Sequence, residues 1–62
     1  MNYYVVCLIV VCENTDTSFE TSEIHVLAKN RKDAIDKATK YYYENFFEDV
    51  DYVFPKYCHQ IE

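Results

Sequence analysis

Residues 3 to 12, YYVVCLIVVC, run for ten positions without a charge, a glycine, a proline or a polar amide. A β-strand sends successive side chains to opposite faces, so Tyr3, Val5, Cys7, Ile9 and Val11 share one face and Tyr4, Val6, Leu8, Val10 and Cys12 the other. Both faces are apolar. A strand half in water alternates apolar and polar residues, so this one reads as a central strand that needs cover on both sides. The 62-residue chain holds few other elements to supply that cover.

A chain this short forms one small domain, residues 1 to 62, because it buries only about 60 % of its unfolded surface and cannot divide that between two cores. Domains of this size lean on disulfides, a metal or self-association. Cys7, Cys12 and Cys58 are odd in number and sit in apolar runs, which suits packed thiols in a reducing cytosol better than a disulfide framework. For zinc the spacing is wrong. Cys7 and Cys12 point to opposite faces of one strand, Cys58 and His59 do the same as neighbours, and no C-x-x-C occurs, so neither a metal nor another cofactor is expected. The apolar run lacks the basic flank and cleavage site of a secretory signal and falls far short of the roughly 20 residues of a membrane helix, which points to the cytoplasm.

Beyond Cys12, the segment ENTDTS (13 to 18) is a turn cluster in a chain without glycine, where Asn14 and Asp16 tolerate unusual dihedrals. A second strand, Phe19 to Ala28, places Ile24, Val26 and Ala28 on one face and Phe19, Glu23, His25 and Leu27 on the other. A helix then opens at Asn30 as N-cap, with Asp33 placed to reach back to free N–H groups. Its apolar stripe is Ala34, Ile35, Ala38, Tyr41 and Tyr42, extended towards Phe46, and Asp33–Lys37 and Asp36–Lys40 are acid-before-base pairs. The acidic run EDVD (48 to 51) ends it. A last strand, Val50 to Ile61, contains Pro55 and so belongs at a sheet edge.

A right-handed crossover from the second strand through the helix to the third makes those strands parallel and leaves room for the first between them. The expected fold is α+β: a three-stranded antiparallel sheet of order 2-1-3, ββαβ in topology, with the helix on one face. The other face is left open, and an exposed apolar patch of that size marks an interface unless the C-terminal segment or long tyrosines fold over it.

Catalysis finds no support. Cys7 or Cys58 with His25 or His59 is the sole nucleophile and base combination on offer, without an oxyanion loop or nucleophile elbow, and phosphate binding lacks its glycines. A non-enzymatic chain is therefore expected. A net charge of −5 disfavours direct nucleic-acid or anionic-membrane binding. Five of the six basic residues, Lys29, Arg31, Lys32, Lys37 and Lys40, lie between 29 and 40. Acids surround them in two groups, Glu13, Asp16, Glu20 and Glu23 around the hairpin and Glu44, Glu48, Asp49 and Asp51 around the helix end. Tyr43 and Phe47 lie four apart on the helix face away from the stripe, and aromatics beside carboxylates have the composition of a protein-binding surface. The candidate contact set is Tyr43, Glu44, Phe47, Glu48, Asp49, Asp51, Glu13 and Asp16.

The stretch Val26 to Ala38, V-x-A-x-N-x-x-D-A-I-x-x-A, resembles the strand-to-helix junction of small ββαβ phage and bacterial proteins, among them phage inhibitors of bacterial RNA polymerase. Small, acidic, tyrosine-rich chains are also similar to anti-CRISPR proteins, several of which occlude nucleic-acid channels with carboxylates. The resemblance implies a cytoplasmic host-takeover inhibitor that occupies a basic groove of a larger nucleic-acid-handling complex. The alternative is a self-assembling structural or regulatory protein that dimerises through its open sheet face.

Overall fold

The computed structural model describes residues 1–45 and 50–61. In chain order these form β1 (Asn2–Cys12), a 3-10 turn (Glu13–Thr15), β2 (Thr17–Glu20), β3 (Ile24–Ala28), α1 (Arg31–Asn45) and β4 (Tyr52–Gln60). The apolar strand β1 lies in the centre. β2 and β3 follow one another along one flank and β4 takes the other, all antiparallel to β1, so β3 and β4 run parallel through the α1 crossover. The fold is α+β, with the expected lane order and one helix.

The flank formed by β2 and β3 departs from the expected single strand Phe19 to Ala28. Glu20 stands opposite Ile9 and Ile24 opposite Val6, so Cys7 and Leu8 face three residues, Thr21, Ser22 and Glu23. Thr21 stitches this gap: its N–H donates to the Leu8 carbonyl at 2.9 Å, and its Oγ1 accepts the Leu8 N–H at 3.0 Å. The other flank breaks at the same level. Cys7 pairs with Tyr57 and Leu8 with Pro55, which leaves Lys56 as the extra residue of a bulge. Pro55 thus sits on an edge strand, where its missing N–H costs least.

The first break also reverses a face assignment. Strict alternation puts Phe19 beside His25 and Leu27, but the extra residue turns it to the helix side, where its ring lies 6.5 Å from that of Tyr42. The turn is shorter than the expected 13 to 18, because Thr17 and Ser18 already belong to β2. Asp16 takes the left-handed conformation there, at φ 52°, the place a glycine would usually hold.

Helix α1 starts as its sequence dictates. The Asn30 side chain accepts the Asp33 N–H at 2.8 Å, and the Asp33 carboxylate reaches past the cap to accept the Lys29 N–H at 3.0 Å. Ala34, Ala38 and Tyr42 are buried and Ile35 is half-buried, whereas Tyr41, expected on the same stripe, is 51 % exposed at its margin. Asp33 pairs with Lys37 as expected; Asp36 turns back to Lys32 and Lys40 forward to Glu44 in place of the Asp36–Lys40 pair. Tyr4, Val6, Leu8, Val10 and Cys12 meet this stripe, joined by Ala28 and Cys58, and form the core. The two alanines allow that close approach of helix to sheet.

The sheet face away from α1 is less open than expected. Val5 and Cys7 on it are 5 % and 4 % exposed. Cover comes from neighbouring strands rather than another layer. Lys56 Nζ meets the Glu20 carboxylate at 2.7 Å, and the Tyr57 hydroxyl donates to Glu23 at 2.6 Å. Each pair joins β4 to the opposite flank and so bridges the level of β1 where both bulges fall. His59 stacks on Tyr57, with ring centroids 4.9 Å apart. Two bulges at one level thus aim four long side chains over the centre of the strand.

Candidate protein-binding surface

The ends of the elements decide which charges become neighbours. β1 ends where the 3-10 turn begins, β4 begins beside it, and α1 ends near them, because Tyr42 packs with Cys12. Two hydrogen bonds lock β4 there: the Asp51 N–H donates to the Val11 carbonyl at 3.0 Å, and the Asp51 carboxylate accepts the Glu13 N–H. Glu13 and Asp51, 38 positions apart in sequence, are therefore in direct contact. Asp16 caps the turn by donating its N–H to the Glu13 carbonyl at 3.0 Å. Glu13 and Asp16, with Val11, Cys12, Thr17 and Ser18, line a hollow of about 230 Å³.

Glu44, in the last turn of α1, is exposed and 3.8 Å from Lys40. Tyr43 beside it is 37 % exposed. Of the candidate set, the fold thus gathers Glu13, Asp16, Glu44 and Asp51 at one end, with Tyr43 on the adjoining turn; Phe47, Glu48 and Asp49 lie outside the described residues. Glu20 and Glu23, grouped by sequence with the hairpin acids, are drawn away by Lys56 and Tyr57.

At the other end of α1 stand Lys29, Arg31 and Lys32. A helix is positive at its N-terminus and negative at its C-terminus, so stability favours acids at the start and bases at the end. Apart from Asp33, α1 does the reverse: its last turn holds Glu44 and no basic residue. These charges add to the helix dipole and polarise a molecule with principal extents of 37 × 18 × 15 Å.

Two of the clustered bases have work inside the fold. Lys37 Nζ donates to the Leu27 carbonyl at 2.9 Å, and Arg31 Nε donates to the Cys58 carbonyl at 3.3 Å. Both cover a carbonyl of an outer strand, which blunts edges that would otherwise recruit another strand.

Catalytic geometry does not assemble among the described residues. The register sets His25 and His59 on either side of Val5, with Cys7 next along the same face. Cys7 is buried, however, and its Sγ donates to the Thr21 carbonyl at 3.4 Å. Burial pushes the Cys58 thiol pKa up, away from the reactive thiolate. All three cysteines are free. Among the described residues no polar or charged side chain is buried and no three potential metal ligands converge. No helix there is long and apolar enough to cross a membrane.

The sequence reading expected an interface on the open sheet face but did not name the residues that are exposed there. Tyr52 and Phe54 stack with ring centroids 6.0 Å apart and, with Tyr3 and Leu27, are exposed on the face away from α1. The i, i+2 spacing of the two aromatics is a legible signal for a shared face, but their level on β1 depends on the Lys56 bulge. No protein-family model, curated protein or solved structure matches this chain.

Proposed function

We propose that this chain is a non-enzymatic binding protein whose acidic end docks on a lysine- and arginine-lined surface of a larger partner. One observation carries the reading: the Glu13–Asp51 contact joins two acidic segments remote in sequence into one end of the molecule, where Glu44 and the helix dipole add to the same sign. Such charge adds little to a small fold and favours encounter with a basic partner. Tyr43 supplies an aromatic contact at the rim.

The partner class this favours is a groove shaped for nucleic acid, in which carboxylates stand in for phosphates. A phage-encoded inhibitor of the anti-CRISPR type, or one directed at host RNA polymerase, is the specific form of the proposal, acting in the host cytoplasm. The test is competition: CRISPR effector complexes and bacterial RNA polymerase are each titrated with the protein in the presence of labelled guide RNA target or promoter DNA. Stoichiometric displacement of the nucleic acid from one of them supports the proposal. Binding that leaves the nucleic acid in place, or no binding to any basic groove, overturns it.

A further inference from the structure

The face of the sheet away from α1 carries a second, independent pattern. Among the described residues, Tyr3, Leu27, Tyr52 and Phe54 on this face are 47 %, 44 %, 48 % and 50 % exposed. They form two patches. Tyr3 and Leu27 are cross-strand partners at the β1 start, whereas Tyr52 stands opposite Val11 and Phe54 opposite Ile9 towards the β1 end. Between them lie the Glu20–Lys56 and Glu23–Tyr57 pairs, in which each carboxylate already has a partner.

We infer that this face binds a second copy of the chain, sheet against sheet with the β1 strands antiparallel, so that Tyr52 of each copy meets Tyr3 of the other. A two-fold axis lying between the sheets and crossing β1 at right angles near Cys7 produces that arrangement, and each patch then finds the unlike patch of its partner. Three observations select this occupant. Charge is the first: in a chain of −5, Lys56 neutralises Glu20 on this face and Glu23, held by the neutral Tyr57 hydroxyl, is the one uncompensated acid of the two, so copies approach here with less repulsion than at the acidic end. In the antiparallel arrangement the acidic end of each copy also lies beside the partner's Lys29, Arg31 and Lys32, which is complementary, whereas a parallel stack sets acid beside acid.

The second observation is that the alternative route to self-association is blunted. Lys37 and Arg31 cover carbonyls of β3 and β4, and Pro55 and the Lys56 bulge interrupt the β4 edge, so pairing edge to edge is disfavoured. The third is area. A half-exposed large side chain presents on the order of 100 Å². Four from each copy, with the half-buried Ile9 and Val11 beside Phe54 and Tyr52, bring the total near the roughly 1,000 Å² that marks a specific interface. Such a contact is modest in size, which suits a reversible dimer. The acidic ends lie at opposite extremes of it, outside the apolar contact.

Sedimentation equilibrium across low to high micromolar concentration tests the inference, with far-UV circular dichroism and melting curves confirming that each variant folds. The wild-type chain is expected to dimerise reversibly, and Phe54→Glu to weaken the dimer at least tenfold while Tyr43→Ser leaves it unchanged. Orientation is read from the double variant Tyr3→Lys/Tyr52→Glu. Its homodimer should be tighter than that of either single variant, since each Lys at position 3 then faces a Glu at position 52, whereas a parallel stack would set Lys against Lys and Glu against Glu. A monomer at every concentration, a dimer indifferent to Phe54→Glu, or a double variant that dimerises more weakly than the single variants would overturn the antiparallel face-to-face dimer.

Discussion

At the scale of single residues, the clearest consequences are in the polar groups that replace missing backbone pairing or a missing layer. Thr21 both donates to and accepts from Leu8 across a gap in the ladder. Thr21→Val keeps the shape and removes the acceptor, and an unsatisfied N–H costs about 1–3 kcal/mol. A drop of that order in unfolding free energy by urea titration is expected. Asn30→Ala should cost about 1 kcal/mol as a lost N-cap. Tyr57 gives a spectroscopic handle. Its hydrogen bond to the Glu23 carboxylate, aided by burial, pushes its pKa from 10.0 up to about 12. A raised folded pKa means the bond stabilises fully below the ordinary phenol pKa and is lost as pH climbs through about 12. Titration followed at 295 nm should show one tyrosine retained late, and Glu23→Gln should return it towards the ordinary range. Asp33 works in the opposite sense. Its hydrogen bond from the Lys29 N–H, with Lys37 nearby, lowers its pKa, so its contribution is present above the usual carboxylate range and fades as pH falls through the lowered value.

At the scale of elements, β1 and α1 are legible in the sequence because each has a single period. Ten uninterrupted apolar residues, rich in valine and tyrosine, read as a central strand, and Asn30, Asp33, Ala34 and Ala38 specify both the start and the buried stripe of the helix. The β2–β3 flank was not legible as two strands. Nothing in TSFETSEIHV announces an extra residue at Thr21, because the gap is defined by a partner strand and closed by a side chain rather than by a glycine. The same holds for Lys56, and with it the cover over Cys7. An element-scale test follows. Deleting Lys56 removes the extra residue but keeps Cys7 opposite Tyr57 and Leu8 opposite Pro55, so the side chains of β4 hold their faces in a regular ladder. That deletion should leave the chain folded, and Lys56→Ala, which keeps the bulge and loses an exposed ion pair, should leave the melting curve within a few degrees of wild type. Leu8→Ala in the centre of β1 should cost about 2–5 kcal/mol. A 62-residue domain holds on the order of 3–9 kcal/mol in all, so that variant should lose a large share of its stability and melt well below wild type.

At the scale of the whole molecule, what matters is where the charges lie rather than how many there are. The composition disfavoured a basic nucleic-acid binder, and the sequence placed acids near the hairpin and the helix end. It could not reveal that Glu13 and Asp51 touch, or that Glu20 and Glu23 leave the acidic group to bridge the sheet, since both facts depend on register. This polarity is the ground for proposing the acidic end as a docking surface, and the aromatic sheet face is proposed as a separate contact. The most direct test of the acidic end is the salt dependence of partner binding for the wild-type chain and for the variant Glu13→Gln/Asp16→Asn/Glu44→Gln/Asp51→Asn. These replacements keep size and hydrogen-bonding capacity, and Asn accepts the left-handed backbone of position 16. The predicted result is steep weakening with salt for the wild-type chain, and for the variant a weaker affinity with a much flatter slope. Equal affinities and equal slopes for the two proteins would contradict the account.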